Sequence, residues 1–128
     1  MLPPLNGKHF FGFLPETNKA DLDFISVHIY PQSGKVGDAI RDLKMYAVGK
    51  PVVIEETFTL SCGGEDLRKF FRQSKGIACG WIGHYLGESP AQLEALMKAK
   101  KANIGQALTL EYYKIFEDMR SEMIGEPK

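Results

Sequence analysis

Two glutamates stand side by side at Glu55 and Glu56, directly behind the apolar run Pro51-Val52-Val53-Ile54. A charge that closes a buried run costs free energy unless it is hydrogen-bonded or solvated. Two further apolar runs, 23–30 and 76–82, end in or lead into residues of related chemistry: His28 and Tyr30 in the first, Trp81, His84 and Tyr85 at the third. Carboxylate, imidazole, phenol and indole are the side chains of carbohydrate sites, where paired carboxyl groups supply the nucleophile and the proton donor. Alternation along the second run puts Val52, Ile54 and Glu56 on one face and Val53 and Glu55 on the other. Which of the two carboxylates meets a ligand stays open at this level.

The elements that must position these residues follow from spacing. Phe24 to Val52 is 28 positions and Val52 to Cys79 is 27, the period of a repeated strand-helix unit. Between the first two runs, Val36, Ile40, Leu43 and Ala47 recur at helical spacing until Gly49-Lys50-Pro51 ends the pattern. Between the second and third, Leu67, Phe70 and Phe71 form an apolar stripe, with Glu65 and Asp66 in the first turn and Arg72 and Lys75 in the last, which suits the helix dipole. Ser89-Pro90-Ala91-Gln92 is a capping box with proline at the first helical position, and it predicts a helix to about Ala102. Tyr112, Ile115, Phe116, Met119 and Met123 then mark a last helix ending at Gly125, its stripe serving core packing. Residues 15–20 read as a short helix or loop. The whole is an α/β chain of parallel strands with crossover helices, either an open doubly wound sheet or a piece of a barrel; in both, functional groups gather at the carboxyl ends of the strands.

Taken in order, DFISVHIYP, GKPVVIEETF and GIACGWIGHYLG resemble strands six, seven and eight of glycoside hydrolase family 5 and its relatives in the cellulase and mannanase clan. Those families share an H-x-Y at the sixth strand, K-P-V-hydrophobic-E at the seventh and a G-W-containing eighth. The resemblance covers residues 20 to about 90 and implies that the chain, 1–128, is the C-terminal fragment of a single (β/α)8-barrel catalytic domain, its last three βα units. It further implies a retaining glycosidase acting on a β-linked oligo- or polysaccharide without a cofactor. Glu56 is then the nucleophile, Tyr30 donates to it, and His28 contacts the sugar or the acid/base side. Trp81, His84 and Tyr85 are the remaining candidate sugar contacts. The chain departs from the family by carrying Thr57-Phe58 where Phe-Gly is usual, and His84 where the stacking tryptophan aligns.

The clan's proton donor belongs to an Asn-Glu pair on strand four, and no Asn-Glu occurs in these 128 residues. The expectation is therefore a chain with the nucleophile side alone, inactive in isolation, whose partner is the N-terminal barrel half or a self-associating copy. A non-catalytic sugar-binding remnant of such a barrel is the alternative, and a phosphate-binding flavodoxin-like protein, using Ser61-Cys62-Gly63-Gly64, is a third. Sixteen basic residues balance sixteen acidic ones, so no net field draws the chain to nucleic acid or an anionic membrane. Cys62 and Cys79 show no metal-ligand spacing and read as two buried or semi-buried thiols. The start MLPPLNGKHFF lacks the pattern of a signal peptide, and compartment is not written in the chain, although the resemblance implies a secreted full-length enzyme.

Overall fold

The computed structural model describes residues 14–83 and 87–124. The chain divides into two compact units, Met1–His84 and Tyr85–Lys128. In the first, a short helix α1 (Pro15–Asn18) and a 3-10 turn (Lys19–Asp21) lead into strand β1 (Ile25–His28), helix α2 (Val36–Lys44), strand β2 (Val52–Thr57), helix α3 (Gly64–Ser74) and strand β3 (Gly80–Gly83). The three strands are parallel and ordered β1-β2-β3, as the repeat of apolar runs predicts. Ladder pairing is narrower than the runs themselves: β1 begins at Ile25, and β3 begins at Gly80.

Consecutive strand order with crossovers of one hand puts both helices on the same face of the sheet, and α2 and α3 do pack against each other. Ile25, Val27, Val52 and Ile54 from the strands, Val36, Ile40 and Leu43 from α2, and Leu67, Phe70 and Phe71 from α3 are all buried and form the core between the layers. Ala47, the last position of the expected α2 stripe, is exposed beyond the helix end at Lys44. The turn that follows α2 tightens, with Tyr46 N donating to Leu43 O at 3.0 Å, and Tyr46 fills the core in place of Ala47.

Strand β2 breaks the expected alternation. Val27 pairs with Ile54, but the next residue of β1, His28, pairs with Glu56. On the other side Ile54 pairs with Trp81 and Thr57 with Gly83, so three steps along β2 match two along β3. One extra residue is accommodated at Glu55-Glu56, a β-bulge. Its effect on phase is visible in burial: Val52, Ile54 and Thr57 are buried, while Glu55 is exposed and Glu56 half-buried. Without the bulge, Glu56 would follow Val52 and Ile54 into the helix-covered core. Burying an unpaired carboxylate there costs several kcal/mol, so the extra residue resolves the conflict by keeping both charges out.

The second unit is a helical pair, α4 (Pro90–Lys98) packed on α5 (Ile104–Ile124). The expected capping box is present, Ser89 Oγ accepting from Gln92 N and Gln92 Oε1 from Ser89 N. A second reciprocal pair, between Asn103 and Gln106, opens α5. α4 stops at Lys98, short of Ala102, because Lys100 takes a left-handed conformation with φ 56° while Lys101 N donates back to Leu96 O at 3.0 Å. That is a Schellman ending with lysine in the position usually held by glycine.

Two expectations follow. Deleting Glu55 removes the bulge and leaves Val52, Ile54 and Thr57 in phase, so urea denaturation should show a loss below about 2 kcal/mol; deleting Val53 turns Val52 out of the core and should cost more, since an apolar side chain of that size contributes about 1.5–3 kcal/mol on burial. Lys100→Gly relieves the left-handed conformation and should stabilise the helical pair by about 1 kcal/mol, read as a raised thermal midpoint.

Candidate active site

The bulge places both glutamates with the side chains of β1 that point away from the helices. Ser26 and His28 alternate with the buried Ile25 and Val27, so they lie on the face away from α2 and α3, with His28 closing the strand. His28 Nε2 lies 2.9 Å from Glu55 Oε1, and His28 Nδ1 lies 3.5 Å from Glu56 Oε2. One imidazole thus faces two adjacent carboxylates through its two different nitrogens. Both nitrogens donate at once in the protonated ring, whereas the neutral ring serves one carboxylate at a time.

Glu55 is held below the ordinary glutamate value of 4.5 by the hydroxyl of Ser26, which donates to the carboxylate, and then by the hydrogen bond and charge of His28; slight burial works in the opposite direction. A carboxyl group so held is ionised at neutral pH and is a poor proton donor. Glu56 is the less exposed of the two, its side chain 18% accessible against 44% for Glu55. Beside Glu55, residues 21–26 line an open depression of about 490 Å³, in which the half-exposed ring of Phe24 and the hydroxyl of Ser26 are accessible.

The other candidates are distributed differently. Tyr30, just past β1, packs edge-on against Phe58, just past β2, with ring centroids 5.2 Å apart and planes at 89°. Trp81 pairs in register with the buried Ile54 and so points toward the helices, where its indole N–H donates to Ser74 Oγ at 2.8 Å at the end of α3. The same register places Ile82, 53% exposed, on the face away from α2 and α3. Trp81 is therefore positioned to anchor α3 to the sheet, on the face opposite Ser26 and His28. His84 and Tyr85 lie outside the described residues.

The loops after β1 and β2 are joined to each other. Gln32 and Ser61 form a parallel bridge, Ser33 N donates to Ser61 O at 2.9 Å, and Asp66 Oδ2 accepts from Ser33 Oγ at 3.3 Å and from Gly34 N at 3.1 Å. Gly34 meets Asp66 with φ 70°, a conformation glycine adopts without penalty. The Ser61–Gly64 stretch therefore opens a helix whose first turn carries Glu65 and Asp66, the wrong charge for holding a phosphate. Cys62 is half-buried, its thiol pushed up by burial and by the nearby Asp66, and Cys79 is exposed; both are free. Among the described residues there is no group of three or more His, Cys, Asp or Glu side chains placed to hold a metal ion, and no helix long and apolar enough to cross a membrane.

Sequence reasoning missed Ser26, although it lies two residues before His28 and so shares its face; the signal was the alternation of β1. It also missed Phe58 as the partner of Tyr30, which only the spatial adjacency of the two strand ends reveals. No protein-family model, curated protein or solved structure matches the chain.

The Ser26 contact can be tested directly. Because the folded-state value of Glu55 is depressed, its contribution to stability is present above the ordinary glutamate value and is lost as pH falls through the folded value. In a carbon-13 carboxyl titration, Ser26→Ala should move Glu55 upward toward 4.5. An unchanged value would mean that the hydroxyl does not hold the carboxylate.

Proposed function

We propose that this chain supplies the nucleophile-bearing strands of a retaining glycoside hydrolase barrel acting on a β-linked polysaccharide, with Glu56 as the nucleophile. The observation that carries the reading is the convergence of His28 and two glutamates on the face of neighbouring parallel strands away from α2 and α3, near their carboxyl ends. In a barrel that face is the interior, and the carboxyl ends of the strands are where catalytic residues gather.

The chemistry assigns the two carboxylates different work. In the first step a carboxylate oxygen of Glu56 bonds to the anomeric carbon while the glycosidic carbon–oxygen bond breaks, and the departing oxygen takes a proton from an acid. Water then cleaves the glycosyl ester, returning Glu56 as the carboxylate. Glu55 is poorly suited to be that acid, because Ser26 and His28 favour its ionised form. A retaining pair also needs carboxyl groups about 5–5.5 Å apart with the acid on the side of the leaving group. We propose that this acid comes from strands outside the present chain, on the model of the Asn-Glu pair that the resemblance implies. Tyr30 in this reading lines the nucleophile's side of the cleft, its ring fixed by Phe58.

Without the acid, the leaving group must depart unprotonated, and general acid assistance alone contributes about 10²–10⁴-fold. The 128-residue chain is therefore expected to show no measurable hydrolysis of β-glucans or mannans. A 2-deoxy-2-fluoro glycoside with a dinitrophenyl leaving group needs no acid, and intact-mass analysis after incubation should detect a glycosyl adduct mapped to Glu56 and missing in Glu56→Ala. An adduct on Glu55 would move the nucleophile by one residue. Turnover of an activated aryl glycoside that survives Glu56→Ala would overturn the assignment of Glu56 as the nucleophile.

A further inference from the structure

The bulge gives the site a second carboxylate for which the reaction proposed above has no role. Glu55 is neither a favoured acid nor the less exposed of the pair, yet it makes the shortest contact to His28, 2.9 Å at Nε2, and it lines a depression together with Ser26, which favours its ionised form. An imidazole ring turns about its bond to the Cβ atom, and a turn of half a revolution puts the carbons Cδ2 and Cε1 where Nδ1 and Nε2 had been. A contact that holds Nε2 therefore fixes where Nδ1 points, and in this fold it points at Glu56 Oε2, 3.5 Å away.

We infer that Glu55 is a positioning residue: it holds the Nε2–H of His28 and thereby presents Nδ1 to Glu56. The inference rests on the reading of Glu56 as the nucleophile, and it deepens that reading by assigning the neighbouring carboxylate a function. The contacts run from Glu55 to His28 Nε2 and from His28 Nδ1 to Glu56, with Ser26 lining the depression beside Glu55. The components come from two adjacent strands, and two of them are adjacent in sequence. In a regular strand Glu55 and Glu56 would lie on opposite faces and could not share one imidazole; the register shift between Val27 and His28 is what permits it.

The test uses the complete chain and needs no substrate, so its result is independent of whether glycosyl transfer to Glu56 is observed. The proton on His28 Nε2 is followed by NMR, together with the amide spectrum as a check of fold. In the unaltered chain the proton should be detected with slowed solvent exchange. In Glu55→Ala it should exchange about threefold or more faster, the effect of losing a charge-assisted hydrogen bond at a partly exposed site. Ser26→Ala should move it in the same direction by less, and Glu56→Gln should leave it in place. Should Glu55→Ala disturb the amide spectrum, Ser26→Ala and Glu56→Gln decide between them. Exchange unchanged in both the Glu55 and Ser26 variants, or a proton lost in Glu56→Gln while Ser26→Ala has no effect, would overturn the assignment.

Discussion

The first unit is organised around the constraint that neighbouring carboxylates at the end of a buried strand cannot both obey a period of two. A strand with one covered face must send alternate residues into the core, and the sequence offers a glutamate at the position due to go inward. The cost of an unpaired charge between sheet and helices, several kcal/mol, exceeds the modest disturbance of an interrupted ladder. The strand takes in one extra residue, and Thr57 is buried where Glu56 would have been. The pairing of β2 with both neighbours, the exclusion of the two glutamates from the core and their meeting at His28 all follow from that single shift.

The polar constellation that results depends on partners that were already pointing the right way. Ser26 and His28 occupy the outward positions of β1 because Ile25 and Val27 occupy the inward ones. On a half-solvated face the contacts among Ser26, His28 and the glutamates are individually modest, but they bias protonation and direction, which are the quantities that matter to chemistry. The opposite side of the sheet shows the complementary logic. There the one polar group of Trp81 is satisfied by Ser74, itself fully buried and donating to Phe71 O, so that a large ring can close the end of α3 without an orphaned N–H.

Much of this was legible in the sequence. Three apolar runs at nearly constant spacing carry the parallel sheet, helical stripes at Val36–Leu43 and Leu67–Phe71 carry the covering layer, and Ser89 with Gln92 marks the start of α4. The bulge was not legible, because an inserted residue leaves no period of its own and alternation read through it assigns Glu56 to the wrong face. Ala47 was misread for a related reason: helical spacing continues on paper past the point where the backbone leaves the helix, and Tyr46 filled the gap. The end of α4 was hidden because its terminating position is a lysine, a residue type that seldom signals a left-handed turn. For the site, the strand-end residues were visible as types; their division between Glu55 and Glu56, and between the two faces for Trp81, required the register.

Asp66 ties this architecture to time as well as space. Its carboxylate closes the loop at Ser33 and Gly34, and those partners precede it by 33 and 32 positions. On a ribosome adding about 5–20 residues per second, the loop after β1 therefore emerges roughly 2–7 s before the residue that fixes it. During that interval α2 and then β2 emerge, and the loop that will border His28 has no lock. The same aspartate that settles the loop in the finished fold thus sets the earliest moment, in synthesis, at which the rim of the site can take shape.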